Sequence, residues 1–232
     1  MHSEARLIRR PAVSRPPDAI PEGSRKRRSW TVDEARRFLE STRRHDEPLY
    51  AAFVLILVLG LRKGEVLGLT WDLADLDTAE LYVSKQVQRV GRELLRRQVK
   101  TETSEAPLPL PELCVAALKI RAEQQQRDLD RADGAWIDTG LVFTTRHGTA
   151  LEPRTFSRSF DRCLAKAQVP RITVHGTRKT CGSLLAALDV HPRVAMQILR
   201  HSKIAVTMEI YTEIPSAATR DALRKLSQWL DS

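Results

Sequence analysis

Two arginines, a lysine, two histidines and a tyrosine, spread over two thirds of the chain, are the residue types needed to break a phosphodiester bond. They are Arg62, Lys100, His175, Arg178, His201 and Tyr211. Each has a short local context: Gly60-Leu61-Arg62-Lys63-Gly64-Glu65, Val99-Lys100-Thr101, His175-Gly176-Thr177-Arg178, Leu199-Arg200-His201, and then Tyr211. Two guanidiniums can clamp a phosphate, each through a planar fork of donors. A lysine and a histidine can move protons. A tyrosine can attack phosphorus and hold the phosphate covalently. Singly, each residue has a plainer reading. Arg62 reads as an ion-pair partner of Glu65 three positions on. Lys100 reads as a strand-end lysine, His175 and Arg178 as a solvated helix start, and His201 as a cap. Tyr211, with Ile204 and Met208 on one helix face, reads as packing. It is the ordered set that favours chemistry.

These residues must be positioned by a mostly helical (α+β) domain. Thr31-Val32-Asp33-Glu34 predicts a capping box and a helix to about Arg44. Pro48 can start the next helix, whose stretch Ala51 to Leu59 is apolar all round and therefore buried. Gly60 interrupts it, and Arg62 to Leu67 forms another short helix. Tyr82, Val83, Val87 and Val90 predict a strand, Gly91-Arg92 a turn, and Glu93 to Val99 the return strand. Leu108-Pro109-Leu110 is a third extended piece of one small antiparallel β-sheet, and Leu141-Val142-Phe143 a short strand. Helices are expected from Pro111 to about Asp130, then at 154–167, 175–188, 193–200, 204–211 and 217–230.

Net charge is +9 and the sequence pI about 9.9, which favours a polyanionic partner. Residues 1–28 hold eight Lys/Arg against three acids, a net +5, among Pro11, Pro16, Pro17 and Pro21. That composition reads as a disordered arm or linker. The remaining +4 is thinly spread, so charge says little about the folded part. Cys114, Cys163 and Cys181 offer no Cys-x-x-Cys pair and read as small buried residues in a reducing compartment. No H-E-x-x-H or phosphate-loop motif occurs, and His2, His45, His147 and His191 have no chemical context. The longest apolar run, Tyr50 to Leu61, is too short to span a bilayer, and residues 1–28 lack the apolar core of a signal peptide. A cytoplasmic protein is expected.

The blocks Leu57 to Trp71 (LVLGLRKGEVLGLTW) and Leu199 to Tyr211 (LRHSKIAVTMEIY) resemble the catalytic domain of tyrosine recombinases, the phage-integrase family, and are most similar in wording to integrases of actinomycete integrative plasmids. The resemblance covers roughly Thr31 to Leu230. It implies a catalytic domain at 29–232 behind the arm, with the family's helical core-binding module absent. It implies a site-specific DNA recombinase that cleaves and rejoins strands through a 3′-phosphotyrosine, for integration or excision of a mobile element. Tyr211 would be the nucleophile, Arg62 and Arg178 the clamp, and Lys100 the acid for the departing 5′-oxygen. His175 would assist proton transfer, His201 would bond the phosphate, and Glu65 would orient its neighbours while facing away from it. No cofactor and no metal are implied. The implied partners are double-stranded DNA attachment sites, a homotetramer on synapsed DNA, and an excisionase or host DNA-bending protein; no membrane is implied. The alternatives are an inactive or regulatory DNA-binding remnant, or relaxation of the type IB topoisomerase kind. Two positions depart from the family pattern. Gly176 stands where an acid is usual and would have capped a helix start; Arg200 stands where glycine is usual.

Overall fold

Thr31 Oγ1 accepts from the Glu34 N–H at 3.2 Å, and the Glu34 carboxylate accepts from the Thr31 N–H at 2.9 Å. This reciprocal cap starts α1 (Val32–Arg44), as its sequence predicts. The structure, a computed structural model, describes residues 28–99 and 107–211 together with Arg224 and Gln228. The arm up to residue 27, Lys100 and nearly all of the 217–230 segment lie outside the described residues. Arg28, the last residue of the arm, is described and pairs with Glu34 at 2.5 Å.

α2 (Tyr50–Leu59) is the central rod of the fold. Every residue in it except Val58 is buried, and α1, α4 and α6 pack around it. A helix without a polar face has no stable place but the interior. Beside it, Trp30, Phe38, Phe53, Phe156 and Phe160 form an aromatic cluster with ring centroids 5.0 to 6.2 Å apart. Tilted and edge-on geometries dominate there, as the ring quadrupoles favour.

α2 ends at Gly60, in the left-handed conformation with φ +61°. A Cβ at this position would lie 2.5 Å from Leu199 Cδ2. Gly60→Ala therefore combines backbone strain with overpacking and is expected to destabilise the fold by about 2–4 kcal/mol. Urea unfolding measures this; an unchanged midpoint would mean that the approach of α2 to Leu199 is not as close as described.

After Gly60 come α3 (Lys63–Leu67) and a single 3₁₀ turn at Trp71–Leu73. The strands are β1 (Ala74–Asp75), β2 (Glu80–Leu81), β3 (Lys85–Val90), β4 (Glu93–Gln98) and β5 (Leu108–Pro109). The expected antiparallel β-structure is present but divided in two. β1, β2 and β5 form one sheet in that order, and β3 and β4 form a separate hairpin with Lys85 opposite Gln98 and Val90 opposite Glu93. The division follows from how closely β3 lies on α3. A Cβ on Gly68 would meet the Lys85 carbonyl at 2.7 Å, so β3 is held against the helix and away from the line of β2.

The remaining helices are α4 (Glu112–Arg131), α5 (Pro153–Ala167), α6 (Val174–Ala187), α7 (Pro192–Leu199) and α8 (Ile204–Tyr211), close to the expected ranges. The strand expected at Leu141-Val142-Phe143 is reduced to isolated bridges, Thr70 with Leu141 and Thr144 with Ala150. Side chains of α4 take the place of a ladder. The buried Arg121 donates to the Val142 carbonyl at 2.9 Å, and Gln125 donates to the Leu141 carbonyl at 2.9 Å. Among the described residues, no helix is long and apolar enough to cross a membrane.

Candidate active site

Three helix junctions meet at the end of α2: the start of α3, the N-terminal half of α6, and the turn between α7 and α8. Arg62 is the N-cap residue of α3. Its N–H donates to Glu65 Oε2 at 2.7 Å and its Nη1 donates to Glu65 Oε1 at 2.8 Å. The i, i+3 spacing read from the sequence is thus a one-sided cap, from the Glu65 carboxylate to the Arg62 N–H, as well as an ion pair. The Arg62 side chain remains 41% exposed, whereas that of Glu65 is 1% exposed. Glu65 faces inward, into a pair with Arg200 at 2.5 Å.

Arg178 crosses from α6 to close two helix ends. Nη1 donates to the Gly60 carbonyl at the end of α2, and Nη2 to the Leu199 carbonyl at the end of α7. Carbonyls at helix C-termini lack partners within their own helices and carry the negative end of the dipole, so a buried guanidinium satisfies both. Burial, helped by the charge of Arg62, pulls the Arg178 pKa down to about 10.

α6 begins one residue before His175. Its N-cap is Thr173, whose hydroxyl accepts from the Gly176 N–H at 3.0 Å. The expectation that position 176 itself caps this helix is corrected. Gly176 is the third helical residue, and its own N–H is capped by Thr173 without an acid at 176. His175 is exposed on the first turn.

His201 follows α7 directly. Its Nδ1 lies 2.9 Å from the buried Thr207 Oγ1, on α8. Burial first, then the charges of Arg178, Arg62 and His175, push its pKa down to about 4. Arg178 joins the Gly60 carbonyl, two residues before Arg62, to the Leu199 carbonyl, two residues before His201, and His175 lies one turn ahead of it on α6, so the four share one corner. At neutral pH His201 is uncharged. The unfolded chain takes up its proton near pH 6.5 and the folded chain only near 4, so the unfolded state binds more protons between those values. The contribution is present above 6.5 and is lost as pH falls toward 4. His201→Gln is expected to flatten part of the decline in melting temperature across that window. Wild-type and variant curves that run parallel would argue against the depressed pKa.

Tyr211 is held by a backbone contact. It is 6% exposed, and its hydroxyl donates to the Val190 carbonyl, between α6 and α7, at 2.6 Å. Burial alone raises its pKa. The structure therefore brings together four of the six residues picked from sequence, places the tyrosine hydroxyl on a backbone carbonyl, and leaves Lys100 outside the described residues. Sequence reading missed Arg200 as a partner of Glu65, Thr207 as the partner of His201, and the Val190 carbonyl. Only Arg200 left a signal, as a charge where the family pattern has glycine. A cavity of about 460 Å³ lined by Trp71, Gln125 and Trp136 lies elsewhere and contains none of these residues.

Solved structures share this architecture. The integrase of transposon Tn1549, in complex with transposon right-end DNA, superposes with a TM-score of 0.72 at 22% identity, over 90% of this chain and 68% of that one. XerA recombinase gives 0.64 at 23% identity, over 91% and 66%. Among relatives by sequence, a XerC-like tyrosine recombinase of Caldanaerobacter subterraneus subsp. tengcongensis is 27% identical over 211 residues, 86% of this chain and 54% of that protein. An integrase of Streptomyces ambofaciens is 28% identical over 207 residues, 83% and 51%. The chain spans about half the length of the curated relatives it matches. The sequence profile of the phage integrase family matches residues 28–217, and with most of its length inside that match the chain belongs to the phage integrase family.

Proposed function

We propose that this chain is the catalytic part of a site-specific DNA recombinase that cuts and rejoins double-stranded DNA through a 3′-phosphotyrosine, in the integration or excision of a mobile element. The observation that carries this reading is that Arg178, one turn after His175 on α6, bridges the ends of α2 and α7, beside Arg62 at the start of α3 and His201 just past α7. Breaking a phosphodiester requires positive donors on the nonbridging oxygens, a nucleophile, and a proton for the leaving oxygen. Arg62 has its guanidinium partly open to solvent and reaches the phosphate. Arg178 supplies positive charge from behind it. In the tautomer whose Nδ1 accepts from Thr207, His201 holds its hydrogen on Nε2 and donates a hydrogen bond to a nonbridging oxygen. Tyr211 attacks phosphorus: a phosphorus–oxygen bond forms to the ring oxygen, and the bond to the 5′-oxygen breaks. Lys100 protonates that oxygen, and His175 assists in taking the tyrosine proton. The phosphotyrosine conserves bond energy, so a 5′-hydroxyl from another strand reverses the step without ATP.

The test uses a pool of nicked suicide duplexes with randomised cores, since the nick releases the 5′-end and traps the adduct. A covalent protein–DNA species that forms equally in EDTA supports the reading. Joining of the trapped strand to a second duplex separates recombination from simple relaxation. Absence of any adduct across the pool overturns the assignment.

A further inference from the structure

Arg200 is the third guanidinium at this corner, and its surroundings differ from those of the other two. It is 3% exposed, and its Nη2 donates to Glu65 Oε2 at 2.5 Å. Its Nη1 is buried, without a hydrogen-bond partner among the described residues. The backbone is left-handed there, with φ +49° and ψ +49°, at the C-cap of α7. Glycine adopts that conformation freely and an arginine does not. The chain thus keeps a strained backbone and a buried charge at a place where a residue without a side chain would fit.

Charge balance gives the reason. Glu65 is buried and accepts from both arginines, the Arg62 N–H and Nη1 as well as Arg200 Nη2. With Arg62, Arg178 and Arg200 against Glu65, three positive charges and one negative leave +2. With glycine at 200, two against one leave +1, and Glu65 cancels the guanidinium that pairs with it. A phosphodiester carries one negative charge at rest and gathers more on its nonbridging oxygens as a nucleophile adds. Surplus positive charge at the corner therefore favours the transition state over the bound ground state.

We propose that Arg200 is a positioning residue: it serves as the counterion of Glu65, so that the Arg62 guanidinium can turn from that carboxylate to the scissile phosphate with its charge intact. The role rests on the reading of Arg62 as a phosphate clamp. Arg200 itself stays beneath the surface and does not touch DNA.

The experiment compares wild type, Arg200→Met, Arg200→Lys and the double variant Arg200→Met/Glu65→Gln on a trapped duplex recovered from the randomised pool. Single-turnover cleavage at saturating DNA, half-site affinity and thermal melting are measured for each. Arg200→Met is expected to cleave roughly tenfold to hundredfold more slowly with half-site affinity unchanged. Arg200→Lys recovers most of the rate, because charge on Glu65 is what matters. Adding Glu65→Gln to Arg200→Met also recovers rate, because it removes the charge that needs neutralising; a purely structural role would make the two changes add. If Arg200→Met does not fold, the lysine variant and a double variant built directly from wild type carry the comparison. Full-speed cleavage by Arg200→Met beside an active wild type overturns this role alone. Further loss on adding Glu65→Gln overturns the charge argument. A wild type that forms no adduct overturns the role together with the reading it rests on.

Discussion

Tyr211→Phe is expected to abolish the covalent protein–DNA species while leaving DNA binding nearly unchanged. The ring that packs at the end of α8 stays, and only the oxygen goes. Under the proposed chemistry, removing the nucleophile costs roughly 10⁴-fold or more in rate, because no neighbouring group takes over the bond to phosphorus. The structure adds a second, smaller effect. The hydroxyl donates to the Val190 carbonyl at 2.6 Å, so the variant also leaves that carbonyl unpaired, a loss of about 1 kcal/mol in stability. Denaturing gels on suicide duplexes report the first effect, and urea unfolding the second. An adduct that persists in the phenylalanine variant would move the nucleophile elsewhere in the chain.

Arg178→Lys is the other substitution with a large expected effect, although it is formally conservative. One ammonium cannot reproduce the fork that joins the ends of α2 and α7, where Arg178 donates to the Gly60 and Leu199 carbonyls. Cleavage is expected to fall by roughly 10²–10³-fold, the scale for losing one preorganised electrostatic contribution at developing charge. A pH signature separates this from mere misplacement. Burial already pulls the arginine down to about 10. A lysine starts about two units lower than an arginine, so the same burial brings its titration toward neutrality. The variant should therefore lose further activity as pH rises from about 7 to about 9, where wild type keeps its charge. A variant within a few-fold of wild type, with no such slope, would remove Arg178 from the chemistry.

The parts of this structure that sequence foretold are those set by neighbours in the chain. The Thr31–Glu34 cap, the all-apolar α2 and the β3–β4 hairpin around Gly91-Arg92 each depend on spacings of a few residues, and each stands where it was expected. The errors arise where distant segments decide. Arg121 and Gln125 reach from α4 to the carbonyls that a strand at 141–143 would have used. α3 holds β3 off the other sheet through contact at Gly68. One miss is local: Thr173, three residues earlier, and not position 176, closes the start of α6. At the candidate site, the ordered contexts named the residues, but not the company they keep. That Glu65 is shared between Arg62 and Arg200 joins positions 135 residues apart, and that Tyr211 rests on Val190 depends on how α6, α7 and α8 pack; neither leaves a periodic trace.

The resting place of Tyr211 has a meaning for how such a protein behaves among the wrong sites. A chromosome offers on the order of 10⁶–10⁹ competing positions, and a basic protein visits many of them through its phosphates alone. A hydroxyl that is buried and tied to a carbonyl is silent at all of these. Under the proposed chemistry, the rate at any position is scaled by the fraction of molecules in which Tyr211 has left Val190. Each 1.4 kcal/mol that holds it there lowers background nicking about tenfold. Genome integrity would then rest on a single hydrogen bond acting as a safety catch, released only where the surrounding assembly repays its loss.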